Sequence, residues 1–205
     1  MHKEAISEKT KRVLEKIAGS GIGDKFYLAG GTTLALQLGH RESIDLDWFS
    51  AADFSASDLK KELSILGDFV LASEDAGTIN GVLDEVKTSF FYYNYSQLFP
   101  FINFGKIKLA DERDIAAMKI DAISSRGSKK DFVDIYFLME KYRLAELLEF
   151  FEKKYSGIKY NKLHLLKSLV FFNDAEEEPM PMMLKNINWE DMKEKIKHEV
   201  KIIAA

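Results

Sequence analysis

Apolar residues recur at near-helical spacing over residues 4–18, where Ala5, Ile6, Val13, Leu14 and Ile17 are separated by charges, predicting an amphipathic opening helix. Gly19, Gly21 and Gly23 interrupt that pattern. The apolar run Phe26–Ala29 predicts a short buried strand, ended by Gly30-Gly31. Thr32–Leu38 has the composition of a helix, with Thr32 as its N-cap and Gly39 as its stop. From Ser43 to Phe49 the chain alternates: Ile44, Leu46 and Trp48 share one face of a strand, and Asp45, Asp47 and Phe49 the other. Ser55–Asp58 has the form of a capping box before a helix over 59–66. Strands are predicted over 69–71, 78–83 and 86–93, the last two as a hairpin turning at Asp84-Glu85, with another at 106–109.

Beyond Asp111 the period becomes helical. Asp111 and Asp114 bracket the start of a helix reaching Ile123, and Ser128 and Asp131 that of a helix reaching Lys141. Further helices are predicted over 144–154, 161–171 and 189–199. Residues 173–181, with Asp174, Glu176, Glu177, Glu178 and two prolines, predict a solvated loop. The succession describes an α+β chain with an α/β core over 1–110, including the N-terminal helix, and a helical region over 111–205 packed on it.

Composition narrows the chemistry. The chain has 205 residues, 46% hydrophobic and 30% charged, which suits a globule with a sizeable core. With no cysteine, disulfides, thiolate catalysis and Cys-based zinc sites are excluded. The net charge of -4 makes the chain a poor general binder of nucleic-acid backbone, so such a contact needs a local basic patch. The N-terminus is too charged for a signal peptide, and no apolar run spans a membrane, so the cytoplasm is the expected compartment.

Candidate chemistry gathers in the front half. Gly30-Gly31-Thr32, between a strand and a helix, reads either as a plain turn or as a turn whose amides suit a phosphate. Asp45 and Asp47, two apart on a strand, read either as the wet face of an amphipathic strand or as a pair neutralised by Mg²⁺. Arg41 could pair with Asp45 or Asp47, or, beside Ser43, reach a triphosphate. Arg126, Lys129 and Lys130 crowd a helix N-terminus, against the macrodipole, which is explained either by phosphate binding or by an ordinary solvated turn. Within the aromatic run Phe90–Tyr95, alternation assigns half to the core and leaves the rest as a possible platform for a base.

The string Leu28–Leu36, LAGGTTLAL, followed by Gly39-His40-Arg41-x-Ser43-x-Asp45-x-Asp47, resembles the nucleotidyltransferase AbiEii/AbiGii toxin family. The block Asp114–Lys119 with Ser125–Tyr136 resembles it too, and the resemblance runs from about Phe26 to Leu138. It implies a minimal polymerase-β-like nucleotidyltransferase fold, a mixed sheet with flanking helices and then a C-terminal helical bundle. By that resemblance Gly31-Thr32 is the phosphate turn, and Asp45 and Asp47 are the metal-binding carboxylates of a two-ion Mg²⁺ site. Lys119 would hold nucleotide phosphates, and Asp131 matches a carboxylate of the second block. The implied activity is transfer of a nucleoside monophosphate from an NTP to RNA, most simply a tRNA end. A bacterial toxin–antitoxin or phage-exclusion role, with a cognate antitoxin, is also implied. Two alternatives keep the fold: a protein hydroxyl as acceptor, and a catalytically degenerate nucleotide-binding module. The second is prompted by Thr88 and Ser89, which stand where related enzymes carry a third strand carboxylate. Asp131, then Asp84 or Glu85, are the substitutes.

Overall fold

A computed structural model describes residues 1–204. Ser7 caps α1 (Glu8–Ala18) by accepting from the Thr10 amide, so this helix starts later than its periodicity suggests, after a 3-10 turn at Lys3–Ala5. The glycines after it form a short helix, α2 (Gly21–Lys25), instead of a plain break. β1 (Tyr27–Ala29) runs directly into α3 (Gly30–Leu38), which Gly39 ends in the left-handed conformation at φ 60°. Thr32 is therefore not a cap but lies inside the first turn. β2 (Leu46–Ser50) is shorter than the alternation predicts: Ile44 precedes it and is exposed.

Ser55 caps α4 (Ala56–Leu66) as expected. β3 (Phe69–Asp75), β4 (Thr78–Leu83) and β5 (Val86–Tyr92) form an antiparallel meander. Asp84 and Glu85 both take positive φ, 46° and 65°, the pair of angles that a two-residue hairpin turn demands. A hairpin of β6 (Ile102–Phe104) and β7 (Ile107–Leu109) follows. The rest is helical: α5 (Glu112–Ser125), α6 (Lys129–Leu138), α7 (Leu144–Lys154), α8 (Lys162–Ser168), α9 (Asn173–Glu176) and α10 (Trp189–Ala204).

The strands make one seven-stranded mixed sheet in the order β3-β4-β5-β2-β1-β7-β6, with β2 parallel to β5 and β1 parallel to β7. Its central strand β2 places apolar side chains on both faces. Leu46 and Trp48 join a cluster with α1 and α4, whereas Phe49 joins the cluster built by α5, α6, α7 and α10. That second cluster also takes Ala29 and Leu34 from the front half, so apolar packing ties the helical region to the sheet.

Two local expectations fail for one reason, tertiary pairing. Asp114 does not cap α5. It is buried, accepts from the Leu98 and Phe99 amides, and pairs with Lys154 Nζ at 2.8 Å. The acidic segment 173–181 is not a free loop either. It contains α9, Glu176 binds Lys193 and the Trp189 indole, and Glu178 accepts from the first amide of α6 at Lys129.

Candidate active site

A cleft of about 540 Å³ opens where the first turn of α3, the start of β2 and one side of α5 meet. Gly30 and Gly31 form its base. Gly30 has φ 72°, and a Cβ there would come within 2.5 Å of Asp47 Oδ2. A Cβ at Gly31 would collide with the Arg41 guanidinium. Glycine is thus required because an acid and a base close on the turn from either side.

Asp47 lies opposite Ala29 on β1 and Ser89 on β5. Asp45 sits just ahead of β2, where the Thr32 hydroxyl holds its backbone carbonyl and also bonds Ser43 Oγ at 2.8 Å. Thr32 and Ser43 therefore brace the acidic segment, and Thr32, almost fully buried, does not itself line the cleft. Asp45 Oδ1 is buried with no hydrogen-bond partner. Burial, and then the neighbouring Asp45, push the Asp47 carboxyl above its ordinary range, against the pull of Lys119, Lys130 and Arg126. An orphaned carboxylate oxygen beside a carboxyl that resists ionising fits a hard divalent cation with oxygen ligands. Among the described residues, no three His, Asp or Glu side chains converge. A cation here would take these two carboxylates and fill its remaining positions from phosphate and water.

The opposite wall is closed. Lys119 Nζ lies 2.8 Å from Asp131 Oδ1 and 2.6 Å from Asp134 Oδ2. Asp134 also accepts from Arg41 Nε at 2.7 Å and Nη2 at 3.0 Å, and its Oδ1 is 2.7 Å from His40 Nε2. Asp131 further accepts from Arg126 Nε at 3.0 Å and the Ser128 hydroxyl at 3.1 Å. Burial opposes the charge on both acids, yet Lys119 with Arg126 holds Asp131 below the usual range, and Arg41 with Lys119 holds Asp134 well below it. Burial would strip the Lys119 proton, but Asp134 and Asp131 keep it charged.

Several expectations are corrected here. Arg41 pairs with Asp134, not with Asp45 or Asp47. Asp131 is fully buried, does not line the cleft, and forms no capping box, because Ser128 gives its hydroxyl to that carboxylate and caps nothing. Lys129 turns away, its ammonium taken by the Glu176 and Glu178 carbonyls. Arg126 and Lys130 do line the cleft, as do Arg41, Ser43 and Lys119. Phe91 and Phe49, stacked with centroids 5.0 Å apart, add an aromatic wall.

Other cleft residues had no signal in the sequence. The segment 182–185 pairs with residues 40–42: Glu42 N donates to Met182 O at 2.7 Å and Leu184 N to His40 O at 2.9 Å. This brings Pro181, Met182 and Glu42 into the cleft. Pairing across so long a stretch of chain has no local signature. Asp134 could have been suspected, since it lies one helical turn from Asp131 and so meets the same lysine.

A mixed sheet that sets adjacent carboxylates against a Gly-Gly helix start, facing cations fixed on a second helix, is the arrangement of a nucleotidyltransferase. The family model described as "Nucleotidyl transferase AbiEii toxin, Type IV TA system" matches residues 12–109 and 92–202. The chain belongs to this family and is a nucleotidyltransferase. It is 38% identical over 204 residues to the Aquifex aeolicus protein aq_aa25, covering 96% of each chain. In fold it is similar to MenT4, a nucleotidyltransferase toxin of Mycobacterium tuberculosis, with a TM-score of 0.64 and 11% identity over 94% of this chain and 80% of that one. It is also similar to JHP933 of Helicobacter pylori, with a TM-score of 0.57 and 15% identity over 98% and 90%. At such identities the likeness is one of fold.

Proposed function

We propose that this AbiEii-family chain is an Mg²⁺-dependent toxin that moves a nucleoside monophosphate from an NTP to the 3′ end of an RNA, most simply a tRNA. The observation that carries this reading is the Asp45–Asp47 pair, with its unpartnered oxygen, set against the Gly30-Gly31 turn. The free amides of the first turn of α3, and the positive end of that helix, face a polyphosphate. Arg41 and Lys119 hold its charge from the closed wall, while Arg126 and Lys130 do so from the rim. Phe49 and Phe91 offer a face to the base. Mg²⁺ held by Asp45 and Asp47 would neutralise the triphosphate and favour the ionised acceptor hydroxyl.

In the transfer the RNA hydroxyl gives its proton to solvent, its oxygen bonds to the α-phosphorus in line, the bond to the β-phosphate oxygen breaks, and pyrophosphate leaves. The third strand position, beside Asp47, holds Ser89, and Thr88 points into the core. A hydroxyl is no base, so this chain accelerates transfer by alignment and charge. Incubation with labelled NTP, Mg²⁺ and total RNA labels RNA, and Asp45→Ala abolishes the label. Labelling that survives this substitution refutes the site, and label that migrates with polypeptide moves the acceptor to protein. An antitoxin that relieves toxicity on expression completes the proposal.

A further inference from the structure

The cleft continues past Arg126 into a second depression of about 360 Å³, between the C-terminal end of α5 and α8. Its walls carry Ser124, Ser125, Arg126, His164, Lys167 and Phe171, with Asp174 as the one acid among them. In a chain of net charge -4, Arg126 and Lys167 against the single Asp174 give this groove a local positive balance. Neither Lys167 nor His164 enters an ion pair among the described residues, unlike Lys129, which the Glu176 and Glu178 carbonyls occupy. Phe171 is 53% exposed, a ring left in water on the same groove wall as the unpaired Lys167 ammonium. The Ser124 and Ser125 hydroxyls donate back to α5 carbonyls, so their lone pairs remain to accept from a base or a ribose hydroxyl.

A depression of about 470 Å³ also adjoins the cleft, but Glu178 stands in it against Arg126 and Lys130. On the strand side the cleft borders the open face of β5, β4 and β3. Register places Ser89, Asn80 and Ser73 in one row there, and Thr78 beside Asp75 in the next. That face carries one cation, Lys87, and one acid, Asp75, at opposite ends, so a polyanion gains little net attraction from it.

We infer that the acceptor reaches the site through the α5–α8 groove as a single-stranded RNA 3′ end. An unpaired base stacks on Phe171, and Lys167 and Arg126 neutralise the flanking phosphates. The terminal hydroxyl then passes Arg126 into the cleft. This rests on the RNA-transferase reading and adds the path that its substrate takes. Recognition of a stacked base explains why a small acidic protein would select an unpaired end over duplex backbone.

The test is fluorescence anisotropy of the full chain with a fluorescein-labelled RNA hairpin bearing a single-stranded 3′ tail, beside the same hairpin with a blunt end. Wild type prefers the tailed hairpin. The double variant Phe171→Ala/Lys167→Glu, both at exposed positions, binds it at least about tenfold more weakly, the loss expected for a stacked base alone. Its salt slope is shallower by about one, as for one lost phosphate contact. NTP affinity by calorimetry and the thermal melt stay unchanged. Tailed RNA bound equally by variant and wild type, or not bound by wild type, overturns the groove. RNA bound through the groove yet never labelled sinks the transferase reading and leaves the groove standing. RNA labelled equally by both proteins does the reverse.

Discussion

On the strand side of the cleft, Asp45 and Asp47 stand together with one carboxylate oxygen unpartnered and one carboxyl pushed towards its neutral form. On the helix side, Asp131 and Asp134 lie one turn apart, and Lys119, Arg41, Arg126, His40 and Ser128 surround them with donors. The same residue type thus does two jobs in one cleft. Where charge is compensated from within, the acids are framework and fix where the cations sit. Where it is left uncompensated, the protein carries an electrostatic strain that protonation or a bound cation relieves.

Substitutions at four positions break or sharpen this contrast. The largest effect belongs to Asp47→Asn: transfer falls at least about a thousandfold, some 4 kcal/mol of barrier, while the melting temperature holds or rises, because like-charge repulsion in a buried place is removed. A variant that loses stability along with activity would make the strand acids framework as well.

Asp134→Ala has the opposite signature. It leaves Arg41, Lys119 and His40 facing one another, and urea unfolding loses about 3–5 kcal/mol, the usual result of removing one partner from a buried pair. pH supplies the sign. The carboxyl of Asp134 is depressed on folding, so its contribution is complete above the unfolded value near 4 and is lost as pH falls through the folded value below it. The stability gap between wild type and Asp134→Asn, measured by thermal melts, should be constant from pH 7 to about 5 and shrink below about 4. A gap that widens in acid would deny the network its role.

Gly30→Ala is smaller, about 1–2 kcal/mol for a side chain forced to positive φ, and its crowding of Asp47 raises the KM for NTP beyond what stability explains. Lys129→Ala is smallest. It costs about 1 kcal/mol of stability through lost hydrogen bonds and leaves the transfer rate within about twofold, since its ammonium binds the segment after α9 and not the cleft. A large rate loss there would return Lys129 to the phosphate site.

Elements whose cause is local were legible in the sequence. Ser55 caps α4, Asp84-Glu85 turns a hairpin, Gly39 ends α3, and Trp48 is core, each from residues within a few positions. The motif blocks likewise placed Gly30, Gly31, Asp45, Asp47 and Lys119 around one cleft. Partner choice was not legible. Asp114 and Asp131 stand where caps stand, yet each turns to a lysine, Lys154 and Lys119 respectively. Lys129 and Lys130 are neighbours with opposite fates, because consecutive residues on a helix point about 100° apart and only packing decides which direction is the cleft.

By itself, then, the sequence determined most of the strands and helices, though not α2, β6 or α9, together with the glycine turn and the pair of acids beside it, because periodicity, capping and backbone sterics act over a few residues. Only the tertiary structure decided which acids are satisfied and which are not. It also brought residues 181 and 182 to the cleft, and α8 to the mouth beyond Arg126. Those outcomes depend on which charges meet after the chain has closed, and a carboxylate's state is set by its neighbours in space.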